Sequence, residues 1–120
     1  MRKMFTKCGK YGARKITCTD GKFDSGLEFK RWIYLKQLQS NGEITNLKRQ
    51  VPYVLIPLQK GKDGKVLFRE MKYVADFVYT DCKGEEHIED TKGFVTDVFK
   101  IKRKLFYFVY GKVIEVVKKW

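Results

Sequence analysis

The chain has 120 residues, and its composition fits one compact domain with an apolar core. Lys and Arg number 26 against 14 Asp and Glu, so the formal net charge is +12. A positive excess of this size favours a polyanionic partner, of which nucleic acid is the commonest. A basic, well-solvated surface without such a partner is the alternative interpretation.

The cysteines and the single histidine argue against several kinds of site. Cys8, Cys18 and Cys82 form no CxxC pair, and His87 is the only imidazole. This pattern argues against a zinc site and a disulfide framework, and gives poor support to catalysis by a Cys–His or Ser–His pair. No apolar run approaches the roughly 20 residues that span a bilayer, and the start has no apolar signal-peptide core. We therefore expect a cytoplasmic protein with no membrane-spanning segment.

The first half of the chain predicts one helix and one strand after a basic lead-in. Residues 1–22 are rich in Lys, Arg, Gly and Thr and are interpreted as a basic N-terminal arm, with one short strand near Lys15–Thr19. A helix is predicted to follow as far as Ser40, because apolar residues recur at helical spacing and Asn-Gly is a stop signal. Ile44–Leu58 is β-like, but its two prolines indicate an edge or interrupted strand. The apolar face of the helix is predicted to carry Leu27, Tyr34, Leu35 and Leu38.

The second half predicts a hairpin, a second helix and a last strand. After a turn at Gly61-Lys62-Asp63-Gly64, strands are expected at Phe68–Thr80 and His87–Lys92, joined by a loop centred on Lys83. Thr96–Val109 is interpreted as a helix and Lys112–Val117 as a short strand. The order predicts a single α+β domain over residues 1–120, with a mixed central sheet flanked by helices. The apolar side of the second helix is predicted to carry Val98, Ile101, Leu105 and Phe108.

The hairpin is predicted to bring two carboxylates together. Asp76 and Asp90 are each seven residues from Lys83, so a symmetric hairpin places them opposite each other on one face. Opposed carboxylates suit Mg²⁺ or Mn²⁺, which would neutralise charge on a phosphodiester and acidify a bound water. Lys92 projects onto the same face, where its ammonium would orient the water or stabilise the pentavalent phosphorus. A cross-strand Asp–Lys ion pair on a solvated face is the alternative.

Glu28 is a candidate third ligand with a competing structural explanation. Ser25-x-x-Glu28 is a capping box, in which Glu28 bonds back to the backbone at Ser25. On the residues alone, the cap is the favoured interpretation.

Three short motifs resemble those of the PD-(D/E)xK nuclease superfamily. In chain order they are Ser25-Gly26-Leu27-Glu28, Val74-Ala75-Asp76-Phe77 and Glu89-Asp90-Thr91-Lys92-Gly93. Their order and spacing are similar to those of compact phage junction-resolving endonucleases of the endonuclease I type. Nearly the whole chain resembles a family of small phage proteins labelled as a domain of unknown function. Ala75 departs from the motif's proline, and Glu89 is an alternative acidic position, but only Asp90 has the required spacing to Lys92.

The resemblance implies a metal-dependent endodeoxyribonuclease with a restriction-endonuclease-like α-β-β-β-α-β core. It implies Mg²⁺ or Mn²⁺ at Asp76, Asp90, Glu28 and Thr91, with Lys92 as the catalytic lysine, and it favours a metal role for Glu28 over a cap alone. The expected substrate is branched DNA such as a Holliday junction, cut by a homodimer because two strands need two active sites. A nuclease acting on other DNA and a non-catalytic DNA-binding phage accessory protein are the alternatives.

Basic residues outside these motifs predict where DNA lies. Four residues of the second helix recur at i, i+3, i+4 and i+7, opposite its predicted apolar side, and form a stripe suited to phosphates. Gln50 is included because such nucleases often have a glutamine-containing strand there. No base-reading motif is present, so the contacts are expected to be mainly to backbone and shape. The predicted DNA-binding residues are Arg14, Lys15, Gln50, Lys100, Arg103, Lys104 and Tyr107.

Overall fold

A four-stranded sheet with a helix on each face forms the body of the protein. The structure is a computed structural model that describes residues 16–18, 21–23 and 25–118. In chain order its elements are β1 (Ile16–Cys18), β2 (Gly21–Phe23), α1 (Gly26–Ser40), β3 (Ile44–Ile56), β4 (Gln59–Lys60), β5 (Val66–Phe68), β6 (Met71–Asp81), β7 (Glu86–Thr91), α2 (Asp97–Tyr110) and β8 (Glu115–Val117).

The main sheet has the strand order β3-β6-β7-β8. The first three strands are antiparallel, and β8 runs parallel to β7 because the intervening α2 carries the chain back across the sheet. The mixed sheet confirms the predicted α+β class. The position of β3 at one edge agrees with Pro52, which has no backbone N–H to donate to a neighbouring strand; Pro57 lies just beyond the end of β3. Two short antiparallel pairs, β1-β2 and β4-β5, lie outside this sheet.

The predicted β6–β7 hairpin is confirmed in detail. Gly84 has a φ of 87°, the left-handed conformation expected at the end of a three-residue loop. Asp81 and Glu85 close the loop, with the Asp81 N–H donating to the Glu85 carbonyl at 2.8 Å. The paired residues include Phe77 with Glu89 and Thr80 with Glu86. Both pairs are symmetric about residue 83, so the register is the one that sets Asp76 opposite Asp90.

Helix α1 begins and ends where the capping signals predicted. The Ser25 hydroxyl accepts a hydrogen bond from the Glu28 N–H at 3.1 Å, and Asn41 ends the helix. Leu35 is fully buried against Phe77 of the sheet, with Leu38 packed beside it. Tyr34, predicted to lie on the buried face, is exposed. α1 therefore covers one face of the sheet.

Helix α2 has the predicted bounds but buries a different side. Phe99 and Phe106 are buried in the core on the opposite face of the sheet from α1. Of the predicted apolar side, Val98 and Ile101 are exposed, and Phe108 is 84% exposed. Leu105 packs against the core, but the prediction is wrong for the other three residues, because α2 carries two apolar stripes at helical spacing and only packing decides between them. None of the described helices is long and apolar enough to cross a membrane.

Between β3 and β6 the chain forms a hairpin that the sequence did not predict. Residues 57–70, hereafter the β-arm, contain β4 and β5 around the predicted turn at Gly61–Gly64. The Gly64 N–H donates to the Gly61 carbonyl at 3.0 Å, which confirms that turn. Phe68, predicted to begin the long strand, belongs to β5 instead, and β6 begins at Met71.

Candidate active site

Asp76 is held where the β6–β7 ladder ends. Its carboxylate oxygen Oδ2 accepts hydrogen bonds from the Thr91 backbone N–H at 2.9 Å and from the Thr91 hydroxyl at 2.8 Å. Two donors on one oxygen fix the orientation of a carboxylate that lines both of the pockets described below. The Thr91 hydroxyl, predicted to lie at the metal, is therefore directed at Asp76 and orients that carboxylate.

Asp90 and Lys92 are positioned by β8. Asp90 pairs with Val116 in the parallel ladder, and the Lys92 N–H continues it by donating to the Val117 carbonyl at 3.0 Å. The ammonium nitrogen of Lys92 lies 3.2 Å from Asp90 Oδ2 and 4.7 Å from the centre of the Phe99 ring. These two contacts hold the ammonium beside the carboxylates, as the Asp-x-Lys spacing predicted.

Asp90 is buried without full compensation for its charge. The residue is 3% exposed, and its Oδ2 has no hydrogen-bond partner of good geometry, although Lys92 is close enough for an ion pair. Burial, and then the nearby charge of Asp76, raise the pKa of Asp90 to about 7, while Lys92 opposes the shift. An unsatisfied buried carboxylate beside another one is costly, and it is a common mark of a functional site.

Tyr73 belongs to the site, and sequence reasoning missed it. Its hydroxyl is buried and lacks a hydrogen-bond partner of good geometry. Burial and the charge of Asp90 both raise its pKa, so the group remains a neutral donor. Strict strand alternation would put Tyr73 and Val78 on opposite faces, yet both lie in the core beneath α2. That change of face near Asp76 left no spacing signal for Tyr73.

The backbone of Glu28 takes part in the helix cap, and its side chain lines the smaller pocket. Its N–H completes the helix cap, whereas its side chain is 2% exposed and accepts a hydrogen bond from Gln50 Nε2 at 2.9 Å. Arg49 lies 3.8 Å from the same carboxylate. Gln50 has a φ of 54°, a conformation that non-glycine residues rarely adopt, and such strain is often kept at functional sites.

Two adjoining pockets meet at the paired carboxylates. One of about 240 Å³ is lined by Ser25, Glu28, Asp76, Asp90, Thr91, Lys92 and Gly93. The other, of about 380 Å³, shares Asp76, Asp90 and Lys92 and adds Gln50, Tyr73 and the first turn of α2. Lys72 and Lys102 also line this second pocket. Carboxylates for a cation, with lysines around them for an anion, are a combination suited to phosphate chemistry.

Glu89 is excluded from the pocket by the alternation of β7. It is buried on the α1 side, where Arg31 binds both of its oxygens, at 2.8 and 2.7 Å, and the Tyr79 hydroxyl donates to one of them. The choice of Asp90 over Glu89 as the site carboxylate therefore agrees with the geometry. Arg31 and Tyr79 form a structural ion-pair cluster that no motif indicated.

Comparison with known proteins places the chain in a family but does not identify an activity. The profile of the DUF1064 family, described as a protein of unknown function, matches residues 8–120. The chain belongs to the DUF1064 family. The range shared with other DUF1064 proteins includes every residue of the two pockets. No curated protein and no solved structure gives a significant match.

A second group of potential metal ligands in this DUF1064 chain lies at the hairpin loop. In the described part of the chain, only Asp81, Glu85 and His87 place three ligand atoms within 4.8 Å of one another. Both ring nitrogens of His87 already contact carboxylates, Asp81 at 2.7 Å and Glu115 at 2.6 Å. Asp81 Oδ1 also accepts two backbone N–H groups. We interpret the group as an ion-pair cluster. Glu28, Asp76 and Asp90 share a pocket without converging this tightly.

The predicted DNA-binding residues of this DUF1064 protein differ in their surroundings. Lys100, Lys104 and Tyr107 are exposed on α2, as predicted. Arg103 is not part of an outward stripe, because it lies on the same side as Phe99 and Phe106 and donates to the Ile114 carbonyl at 2.9 Å. The stripe is therefore not opposite the buried face. Arg14 and Lys15 lie outside the described residues.

Proposed function

We propose that this protein is a Mg²⁺- or Mn²⁺-dependent DNA endonuclease that hydrolyses phosphodiester bonds where its two pockets meet. The supporting observation is the buried, unsatisfied Asp90 oxygen beside Asp76, with Lys92 at 3.2 Å. Such an arrangement is unfavourable for stability alone, because burial and the charge of Asp76 raise the cost of ionising Asp90. A divalent cation would remove that cost.

The donor set fits a hard divalent cation. Asp76 and the unsatisfied Asp90 oxygen would hold it, and Glu28, which lines the same pocket, would be a further oxygen ligand. When bound, such an ion neutralises charge on a phosphodiester and lowers the pKa of a coordinated water.

Basic side chains of the protein would position the water and bind the phosphates. Lys92 is held against Asp90 and the Phe99 ring, where its ammonium would donate to the attacking water or to a phosphate oxygen. Lys72 and Lys102 line the adjoining pocket and would bind the flanking phosphates. Tyr73 would donate to Asp90 and fix its orientation.

The finer proposal is that the target is branched DNA and that a homodimer cuts it. It follows from the motif order that resembles junction-resolving endonucleases, together with the absence of a base-reading motif in the sequence. A nickase or duplex-degrading activity would use the same pocket. A non-catalytic DNA binder would have no use for two carboxylates facing a phosphate.

Cleavage assays on four substrates test the proposal. The full chain is incubated with a four-way junction, a flap, a linear duplex and single-stranded DNA, with Mg²⁺ or with EDTA. We expect metal-dependent cutting, strongest on the branched substrates. Asp90→Asn should lower the rate by more than about 100-fold while DNA binding persists, because it removes a metal ligand and a negative charge.

Glu86→Gln is the matched control, since it removes a carboxylate from β7 that is exposed and outside both pockets. We expect it to cut like the wild type. Intact DNA under every condition would refute the nuclease proposal, and equal cutting of all four substrates would refute the preference for branches. Normal cutting by Asp90→Asn would show that the site is elsewhere.

A further inference from the structure

The β-arm, residues 57–70, exposes four large apolar side chains, those of Leu58, Val66, Leu67 and Phe68. Every residue in it except Gly61 is exposed, including Leu67 and Phe68 at 62% each. None of its side chains belongs to either core cluster of the described residues. A two-stranded hairpin is marginally stable alone in water. Exposed apolar side chains on such a hairpin are therefore expected to have a binding partner.

The same hairpin carries a net positive charge. Lys60 stands opposite Val66 in its ladder, so an ammonium and an apolar side chain share one face. Four cations, Lys60, Lys62, Lys65 and Arg69, outnumber Asp63 and Glu70. Within the described part of the chain, none of the four forms an ion pair, and Glu70 pairs instead with Lys72 at 3.5 Å. Unpaired cations beside exposed apolar and aromatic side chains are complementary to nucleic acid, where phosphates and base faces alternate.

The β-arm leads directly into the candidate active site. It continues into β6, whose second residue, Lys72, lines the pocket shared by Asp76 and Asp90. Phe68 and Asp76 are eight positions apart in the chain, which limits the distance between their Cα atoms to about 27 Å of extended chain. A base-pair step occupies about 3.4 Å along the DNA axis. Phe68 can therefore reach bases within about eight base-pair steps of a phosphate bound in the pocket.

We propose that the β-arm is a nucleic-acid-binding element that packs Leu67 and Phe68 against unstacked bases of the DNA whose backbone occupies the Asp76–Asp90 pocket. Bases at a branch or another distortion are already partly unstacked, so they accept an apolar side chain at lower cost than a continuous duplex does. Lys60, Lys65 and Arg69 bind the adjacent phosphates. The β-arm thus selects distorted DNA. The inference rests on the proposed function for the identity of the substrate.

Binding without cleavage tests this inference separately from catalysis. The Asp90→Asn protein in EDTA is titrated into a four-way junction and a linear duplex of matched length, each carrying 2-aminopurine, at the branch or at the corresponding duplex position. We expect tighter binding to the junction and a rise in 2-aminopurine fluorescence as the base unstacks. The double substitution Leu67→Ser with Phe68→Ser should weaken junction binding about tenfold or more and abolish the rise. Duplex binding should change by less than about twofold, because phosphate contacts remain.

Phe108→Ser is the matched control, because it removes an exposed phenylalanine of α2 far along the chain from the β-arm. It should leave binding and fluorescence unchanged. The charge-reversing double substitution Lys60→Glu with Lys65→Glu should weaken binding to both the junction and the duplex. That loss would confirm that the β-arm contacts DNA. Each variant is checked by circular dichroism.

The outcomes separate the two proposals. Unaltered junction binding by the double serine variant, or an equal loss on junction and duplex, would overturn the β-arm inference whether or not the protein cuts DNA. A wild-type dimer that becomes monomeric on the same substitution would also overturn it, since the β-arm would then bind a second copy. Selective unstacking without any cleavage by the wild type would leave the β-arm inference standing and refute the nuclease.

Discussion

Two buried carboxylates stand side by side on β7 in opposite circumstances. Glu89 has a hydrogen-bond donor for each oxygen, from Arg31, and a further one from Tyr79. Asp90 has an unsatisfied oxygen, a second carboxylate beside it and a raised pKa. The first arrangement stabilises the fold, whereas the second costs stability and is what the proposed metal site would require.

Stability measurements distinguish these two roles without any assay of activity. Glu89→Gln should lower the free energy of unfolding by about 3 kcal/mol, because it leaves Arg31 partly buried without its counter-charge. Asp90→Asn in metal-free buffer at pH 8 should raise the free energy of unfolding by about 1 kcal/mol or more. A neutral amide avoids the repulsion from Asp76, and each pKa unit corresponds to about 1.4 kcal/mol.

Urea unfolding of both variants in EDTA measures these changes, with Glu86→Gln as the exposed control on the same strand. Asp90→Asn that destabilises as much as Glu89→Gln would show that Asp90 supports the fold. The metal-site proposal would then lose its main argument.

At the level of elements, local signals predicted the β6–β7 hairpin and failed on the face of α2. The hairpin register follows from a glycine that must be left-handed and from counting residues on either side of Lys83. The buried face of α2 depends instead on which of two apolar stripes the sheet can accept. Phe99 and Phe106 fit between the aromatic side chains of β3 and β6, a long-range property that periodicity does not contain.

The orientation of α2 has a measurable consequence. Phe106 is fully buried and contacts the rings of Tyr53, Tyr73 and Tyr110. Phe106→Ala should therefore lower the free energy of unfolding by about 3–5 kcal/mol, as large-to-small core substitutions do. Phe108→Ala removes the same atoms from an exposed position and should change it by less than about 0.5 kcal/mol. Chemical denaturation of the two variants measures both losses. A larger loss for Phe108→Ala than for Phe106→Ala would mean that α2 packs through the side predicted from the sequence.

At the scale of the whole molecule, the sequence predicted the fold class and the net charge. It did not predict the contacts between segments that are far apart in the chain. The mixed sheet and the order of its central elements follow from local patterns and short connections. The β-arm was missed because its strands have two and three residues, too few for a periodic signal. Arg31 was missed because its partner, Glu89, lies on another element, and Tyr73 was missed because strict strand alternation places it on the other face.

One such set of long-range contacts, the cluster around His87, should make the stability of the protein depend on pH. Its ring contacts Asp81 of β6 and Glu115 of β8 and stacks on Tyr79, while Lys112 and Glu86 pair with each other nearby. The hydrogen bond to Asp81, followed by that to Glu115, raises the pKa of His87. The hydrogen bond from His87, together with the backbone N–H groups of Glu85 and Lys83, lowers the pKa of Asp81 to about 2. The folded protein therefore binds the imidazolium proton more tightly than the unfolded chain does.

The sign of the effect follows from linkage. His87 contributes its full stabilisation below its unfolded pKa of about 6.5 and loses it as the pH rises through the higher folded value. Asp81 contributes its full stabilisation above its unfolded pKa of about 3.9. It loses this stabilisation as the pH falls through the folded pKa of about 2. The contribution of the cluster is thus greatest between about pH 4 and 6.5. His87→Gln keeps a polar side chain but cannot become charged, so its stability relative to wild type should improve as the pH rises from 6 to 9. Urea midpoints measured across that range would contradict the assignment if the two proteins changed in parallel.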